Sequence, residues 1–355
     1  MNFQGATHVL HITSKQHTTA VAGLLELLHT SALADAYKFS TVELASTEID
    51  WFQITHELRQ AHVVLIHIPI SVKTLPTIQE IGRLASRFGC STVLVDSFYP
   101  LHAASAEGIQ TQWQQWLFQA ASQCVHCIAS SSVVQGQWLQ TFLDADQVKV
   151  IPACCDLNAL RAIAPRTRSR DRLVAVAPGS QNMEDQGFDT ILDAASRIRN
   201  LPIQILLAGN VPDMAELRSR AANVGNVWFV GPFEAEPLLF AAADIAILTP
   251  RRYPHSFEAL RIKAAGKPAI VSQVDGLEHQ FAACGLSIPA GNAAALARAL
   301  HHVSTEVSQT QLHAWGQTGR ASVQSAETDC ISRWGRLLES MQYRYAVIQA
   351  LKAVA

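Results

Sequence analysis

The segment from Asp244 to Ser272, DIAILTPRRYPHSFEALRIKAAGKPAIVS, spells a strand, a loop, a helix, a turn and a second strand. Ile245 to Leu248 is wholly apolar, with Asp244 before it and Pro250 after it, the pattern of a parallel strand buried on both faces. Ser256 is placed to cap a helix that runs to about Ala265, and Gly266 supplies the left-handed residue that ends it. Pro268 opens the next strand, Ala269 to Val271. The loop between strand and helix, Arg251-Arg252-Tyr253-Pro254-His255, is basic. In an open parallel sheet, ligands sit in the crevice beyond the strand ends. A helix N-terminus beside that loop is also a place where phosphate is welcome.

The rest of the chain keeps the same alternation of strand and helix. His8 to Ile12, Phe39 to Leu44, His62 to Ile68, Ser91 to Val95, Val125 to Ala129 and Val148 to Ile151 read as strands. Helical segments separate them: one ending near His29, then Trp51 to Gln60, Leu75 to Phe88, Gln110 to Ser122 and Val133 to Phe142. Residues 157–171, with Arg161, Pro165, Arg166, Arg168 and Arg170, read as a structureless polar linker. A second series starts at Leu173 to Ala177 and continues with strand Ile203 to Leu207, the segment Asp244 to Ser272, and helices at Gly276 to Cys284 and Ala293 to His302. The chain closes on an amphipathic helix from about Ser325 to Val354. The 355 residues suffice for two ordinary domains, and 49% hydrophobic content supplies a large core.

Several function classes are set aside by composition. A net charge of −2 argues against nucleic acid as the main partner. Before residue 157 there are 7 Lys/Arg against 12 Asp/Glu, net −5, so bulk charge does not draw that half to an anionic membrane. No apolar run approaches the roughly 20 residues of a transmembrane helix. Residues 1–12 lack the basic start and long apolar core of a signal peptide, so a cytoplasmic protein is expected. The seven cysteines, Cys90, Cys124, Cys127, Cys154, Cys155, Cys284 and Cys330, are odd in number and scattered, as reduced thiols are. Cys124 and Cys127, taken with Cys154 and Cys155, offer a zinc site on paper. Strand alternation aims Cys124 and Cys127 to opposite faces, which favours core cysteines instead. His8, His11, His62 and His67 lie on strands without metal-ligand spacing and read as structural.

The runs A-D-I-A-I-L-T-P and A-A-G-K-P-A-I-V-S resemble the nucleotide-binding half of glycosyltransferase family 4. Further likeness lies in A-H-V-V-L-I-H-I-P, in D-S-F-Y-P-L from Asp96, in K-V-I-P-A-C-C-D and in Q-G-F-D-T-I-L-D-A from Gln186. The resemblance implies an α/β protein of the GT-B fold: two Rossmann-like, doubly wound domains facing across a cleft, with a C-terminal crossover helix. The N-terminal acceptor domain is expected at residues 1–160, completed by the crossover helix at 326–355. The nucleotide-sugar domain is expected at residues 170–325. The implied function is transfer of a hexose from a nucleotide diphosphate sugar to a glycan or other acceptor, in exopolysaccharide or glycoconjugate assembly. The nucleotide sugar is then a co-substrate, and no other cofactor is implied. No Asp-x-Asp pair stands beside the diphosphate positions, so metal independence is expected.

Carried over position by position, the site departs from the family. Its two glutamates before the A-x-G-x-P turn fall on Tyr253 and Arg261, and the Arg and Lys that hold the diphosphate fall on Ser180 and Gln186. Gly179 and Gly187 are kept. The loop after the first strand, which carries His17, has no glycine until Gly23, where the family has a Gly-Gly pair. Two lost charge-assisted hydrogen bonds cost about 3–6 kcal/mol, roughly two to four decades of affinity. Arg251, Arg252, Arg261 and Lys263 are the local replacements, and Arg261 takes the place of the family's ribose-binding glutamate. The donor-binding set is therefore Gly179, Ser180, Gln186, Arg251, His255, Ser256, Phe257 and Arg261. Arg261 in an i,i+3 pair with Glu258 is the plainer alternative. Asp96 stands where the family has a histidine, and a carboxylate at the end of a buried strand suits general-base work. Its plainer alternative is to cap the next turn. For the whole chain the alternative is a pseudo-glycosyltransferase: a scaffold, a partner subunit of another glycosyltransferase, or a sugar-nucleotide sensor.

Overall fold

The computed structural model describes all residues except 1–5, 15–18, 46–47, 97–108, 156, 167–171, 180–186, 209–213, 223, 231–235, 252–255, 275 and 355. The chain divides into two compact units, Met1–Asp156 with Ala326–Ala355, and Leu157–Ser325.

In the first unit, strands β1 (Thr7–Ser14), β2 (Tyr37–Leu44), β3 (Val63–His67), β4 (Ser91–Asp96), β5 (Cys127–Ser130) and β6 (Val148–Val150) form one parallel sheet. Their order is β2-β1-β3-β4-β5-β6. Helices α1 (Thr19–Thr30), α2 (Trp51–Leu58), α3 (Leu75–Phe88), α4 (Ile109–Ser122) and α5 (Val133–Leu139) make the crossovers. Because side chains alternate along a strand, each strand feeds two cores. Leu10, Ile12, Val64, Ile66 and Leu94 pack with Ile54, Ile78, Ile81 and Phe118 on one face. Val9, Val63, Leu65, Val93 and Val95 pack with Leu24, Leu28, Trp334, Leu338 and Met341 on the other. That double burial is why residues 63–66 of β3 and 93–95 of β4 read as unbroken apolar runs.

The histidines expected to be structural sit in this second core and on its edge. His11 and His67 share a hydrogen bond of 3.0 Å between Nδ1 and Nε2 and stack at 5.2 Å, both fully buried. His8 bonds Ser40 Oγ at 2.7 Å and the Gln60 carbonyl at 3.1 Å. Of the cysteines, six are buried and Cys124 is half-buried. Among the described residues no three His, Cys, Asp or Glu side chains are grouped to hold a metal ion.

In the second unit, β7 (Leu173–Pro178), β8 (Ile203–Ala208), β9 (Val227–Val230), β10 (Ile245–Leu248), β11 (Ala269–Ser272) and β12 (Gly285–Ile288) form the sheet, in the order β12-β11-β10-β7-β8-β9. Here too every strand pair is parallel. The order reverses between β7 and β10, which makes that junction the topological switch point. Helices α7 (Phe188–Arg197), α8 (Met214–Ala221), α9 (Glu236–Ala242), α10 (Ser256–Ala264), α11 (Leu277–Phe281) and α12 (Ala293–Thr305) complete it.

Two sequence expectations are corrected, and one strand is added that the sequence reading did not name. The first part of the expected linker folds: α6 (Asn158–Arg161) is a short helix that buries Leu157, Leu160 and Ile163. Those apolar residues at i, i+3 and i+6 outweigh the arginines that suggested a loop. Gly285–Ile288, too short and half-polar to stand out, is a sheet strand because β11 offers it a full edge. The closing helix α13 begins at Gln309, well before Ser325, and runs to Val354. Its early part holds Gly316 and Gly319. A Cβ at Gly316 would collide with the Gly266 carbonyl oxygen, so the glycine permits close helix packing and does not end the helix. Gly266 itself has φ 66° and closes α10 as expected. Among the described residues no helix is long and apolar enough to cross a membrane.

Candidate functional site

At the switch point of the second sheet, β7 ends in Pro178 and Gly179, and the Gly179 amide donates to the Ala208 carbonyl of β8 at 2.6 Å. After residues 180–186, Gly187 precedes α7 with φ 69°. A side chain there would be strained twice, by the left-handed backbone and by collision with the Thr249 carbonyl oxygen at the end of β10. That contact fixes the N-terminus of α7 against the loop that follows β10. Thr249 and Pro250 are buried and Arg251 is exposed. Arg251 reaches back to α7 and forms an ion pair with Asp189 in its first turn. Helix α10 starts just beyond, so two helix N-termini open at the carboxyl ends of β7 and β10. Amide groups at such ends, with their partial positive charge, suit an anionic ligand.

Of the expected donor-binding residues, Gly179 and Arg251 stand at this junction. Ser180, Gln186 and His255 lie outside the described residues. Ser256 is the first residue of α10, and its side chain is outside the described set. Phe257 follows it, half-buried, and Arg261 is half-buried one turn further along α10. Tyr253 also lies outside the described residues. Lys263, named as a replacement cation, turns inward instead: it is 7% exposed, with Nζ 5.7 Å from the centre of the Phe281 ring. Burial lowers its pKa.

In the first unit, Asp96 ends β4 and is 7% exposed. Its carboxylate does not stand alone: Oδ2 accepts a hydrogen bond of 3.0 Å from Gln135 Nε2 on α5. The Asp96 carbonyl accepts from the Ser131 amide and hydroxyl, both at 3.2 Å, which pins the strand end to β5. Burial pushes the carboxyl pKa up to about 7, and the Gln135 bond pulls the other way. An acid that titrates near neutrality can hold or release a proton at ordinary pH. The capping alternative concerns residues 97–108, which lie outside the described residues.

Two residues that matter here escaped the sequence reading. Asp189 sits inside the quoted Q-G-F-D run, yet nothing local announces that its partner is Arg251, three strands and two helices later. Gln135, 2% exposed, is one of many glutamines, and only the fold singles it out.

Residues 171–306 match the family described as glycosyl transferases group 1. No curated protein matches the chain in sequence. Among solved structures, HepE of Anabaena in complex with UDP superposes with a TM-score of 0.73 at 13% identity, over 94% of this chain and 100% of that one. A glycosyltransferase from Rickettsia africae gives a TM-score of 0.70 at 13% identity, over 96% and 98%. Sucrose-phosphate synthase from Thermosynechococcus elongatus gives 0.67 at 16% identity, over 94% and 99%. The chain thus has the GT-B fold of these structures, and residues 171–306, within its second unit, match the glycosyl transferases group 1 family.

Proposed function

We propose that the protein moves a hexose from a nucleotide diphosphate sugar to a glycan or other acceptor, in the assembly of an exopolysaccharide or another glycoconjugate. The observation that carries this reading is the β7–β10 switch point, where the α7 N-terminus is held open by Gly187 inside the segment that matches the group 1 family. HepE, of the same fold, has been solved with UDP, with UDP and glucose, and with UDP-glucose, which supports a nucleotide sugar as the ligand. The diphosphate lies at the helix N-termini, with Arg251 and Arg261 as the cations in place of the family's Arg and Lys. In the transfer, the bond from the sugar's C1 to the diphosphate oxygen breaks and the acceptor oxygen bonds to C1. The acceptor's proton passes to the Asp96 carboxylate, and the nucleoside diphosphate leaves as an anion.

A second reading is binding without turnover, by a sensor or by a partner subunit of another glycosyltransferase. One observation favours it: Arg251 is already paired with Asp189, which takes up part of the charge a diphosphate would need. A thermal-shift panel of nucleotide sugars, followed by an assay for sugar release, separates the two. Under the enzyme reading one nucleotide sugar at 100 times its Kd stabilises the fold by about 2.7 kcal/mol and is slowly hydrolysed. Arg261→Ala should weaken that binding by about tenfold or more, since it removes a charged partner from phosphate. If Arg261→Ala binds like the parent, the clamp is elsewhere. If no nucleotide sugar stabilises the parent, the transfer reading falls.

Metal independence is a separate part of the proposal. Asp144-Ala145-Asp146, the Asp-x-Asp run of the chain, lies in the first unit on a 3-10 turn before β6, in the unit that lacks the donor residues. EDTA should therefore leave the transfer rate unchanged. Activity lost with EDTA and restored by manganese would contradict it.

A further inference from the structure

Helix α4 carries an exposed aromatic pair that the donor site does not use. Trp113 and Trp116 are 57% and 49% exposed. Their ring centres lie 5.6 Å apart with the planes at 84°, an edge-to-face pair that presents two indole surfaces at a right angle. Leu117, Phe118 and Ala121 anchor the helix in the core, so the indoles are held on a rigid element. Gln112 and Gln119, both exposed, stand one turn before and one turn after Trp116 on the same side. From Ile109 to Ser122 the helix has no charged residue and no histidine. The surface is thus aromatic and amide, with no ionic group of its own.

We infer that this face of α4 is a docking platform for an uncharged oligosaccharide, the acceptor of the transfer reaction. The inference rests on the proposed transfer and names its acceptor class. An indole is flat, large and costs little conformational entropy to hold, so it can cover the C–H face of a pyranose ring. A glutamine amide both donates and accepts, which matches ring hydroxyls. The lack of charge turns away the other candidates. Phosphate-bearing ligands and nucleic acids call for Lys or Arg. A membrane-surface helix pairs its aromatic residues with basic ones, and α4 has none in a half of the chain that is net −5 before residue 157. The place also fits: β4 ends at Asp96, and in a parallel crossover the next helix starts at that same end of the sheet. Trp113 is only about 6 Å along α4 from its first residue.

The test is a fluorescence titration of the full chain, without nucleotide, using maltohexaose, cellohexaose, mannohexaose and chitohexaose. At least one should shift the tryptophan emission and saturate. Trp113→Ala and Trp116→Ala should each weaken that binding by about tenfold or more, the usual result of truncating an indole anchor. Trp116→Phe should keep most of it. Both side chains are exposed, so the melting temperature should stay within the small range of surface substitutions. The proposal is overturned if none of the four saturates, or if the alanine variants bind like the parent. It is also overturned if light scattering shows a parent dimer that the double alanine variant converts to monomer, since the face would then join two copies of this chain. Nucleotide-sugar stabilisation is measured without glycan, so a failed donor panel and a failed glycan titration are distinguishable results.

Discussion

Asp96→Asn is expected to cut turnover by about 10²–10⁴, the usual contribution of a positioned base, while nucleotide-sugar binding stays nearly unchanged. The carboxylate is buried at the end of β4, and that burial is what lifts its pKa to about 7. As the base, it must be ionised, so kcat/KM of the parent should fall as pH drops below about 7, and Asn should abolish that limb. Asn can still accept the Gln135 hydrogen bond, so the geometry at the strand end survives. Stability should move in the opposite direction to activity. The folded pKa is raised above the unfolded value of 3.8, so the stability tied to the neutral acid is complete below 3.8 and is lost as pH rises through about 7. At pH 8 the parent buries a charge that Asn lacks, and the variant should be more stable by something on the order of 3 kcal/mol. Lower turnover with a higher melting temperature at pH 8 is a signature that a purely structural aspartate would not give. A variant that melts earlier at both pH 5 and pH 8, with activity lost in proportion, would show that Asp96 serves the fold.

What could be read in the sequence, and what could not, divides along the range of the interactions. The strands were legible because sheets covered on both faces demand unbroken apolar runs, as residues 63–66 and Ile245–Leu248 show. The stop at Gly266 was legible because a positive φ leaves a residue signature in place. The start of α13 was not, since a glycine that admits a neighbouring helix and a glycine that ends one look alike until the neighbour is seen. Gly179, Gly187 and Asp96 are singled out by the family resemblance, position by position within short motifs. Their partners, Ala208, Thr249 and Gln135, come from other strands and helices, and no local pattern encodes such pairings. Trp113 and Trp116 carry no signal in the sequence, where Gln110 to Ser122 reads simply as a helix. Only their exposure shows that the core did not claim them.

Acidification from pH 7 to about pH 4 is expected to destabilise the fold, through histidines held neutral. His126, half-buried, is lowered to about 4 by burial, with Arg344 acting the same way and the Thr92 hydrogen bond opposing. His11 is lowered well below its ordinary value by burial, then by His67 and His29, and Phe39 closes the remaining side. In each case the unfolded chain takes up a proton near pH 6.5 and the folded chain refuses it. The stability is therefore complete above about 6.5 and drains as pH falls toward the folded pKa, by about 1.4 kcal/mol per unit for each group. For His126, partial exposure to solvent reduces the total to about 2 kcal/mol. Asp96 works against this, because its neutral form gains stability as pH falls from about 7 to 3.8. One aspartate offsets one histidine, so with two deeply shifted histidines the net slope should still run downward. Melting curves between pH 7.5 and 4.5 test the account. His126→Gln should flatten the slope and Asp96→Asn should steepen it. A parent whose melting temperature holds constant to pH 4.5, or a His126→Gln variant that follows the parent's curve, would mean that these imidazoles find a proton-accepting partner when charged.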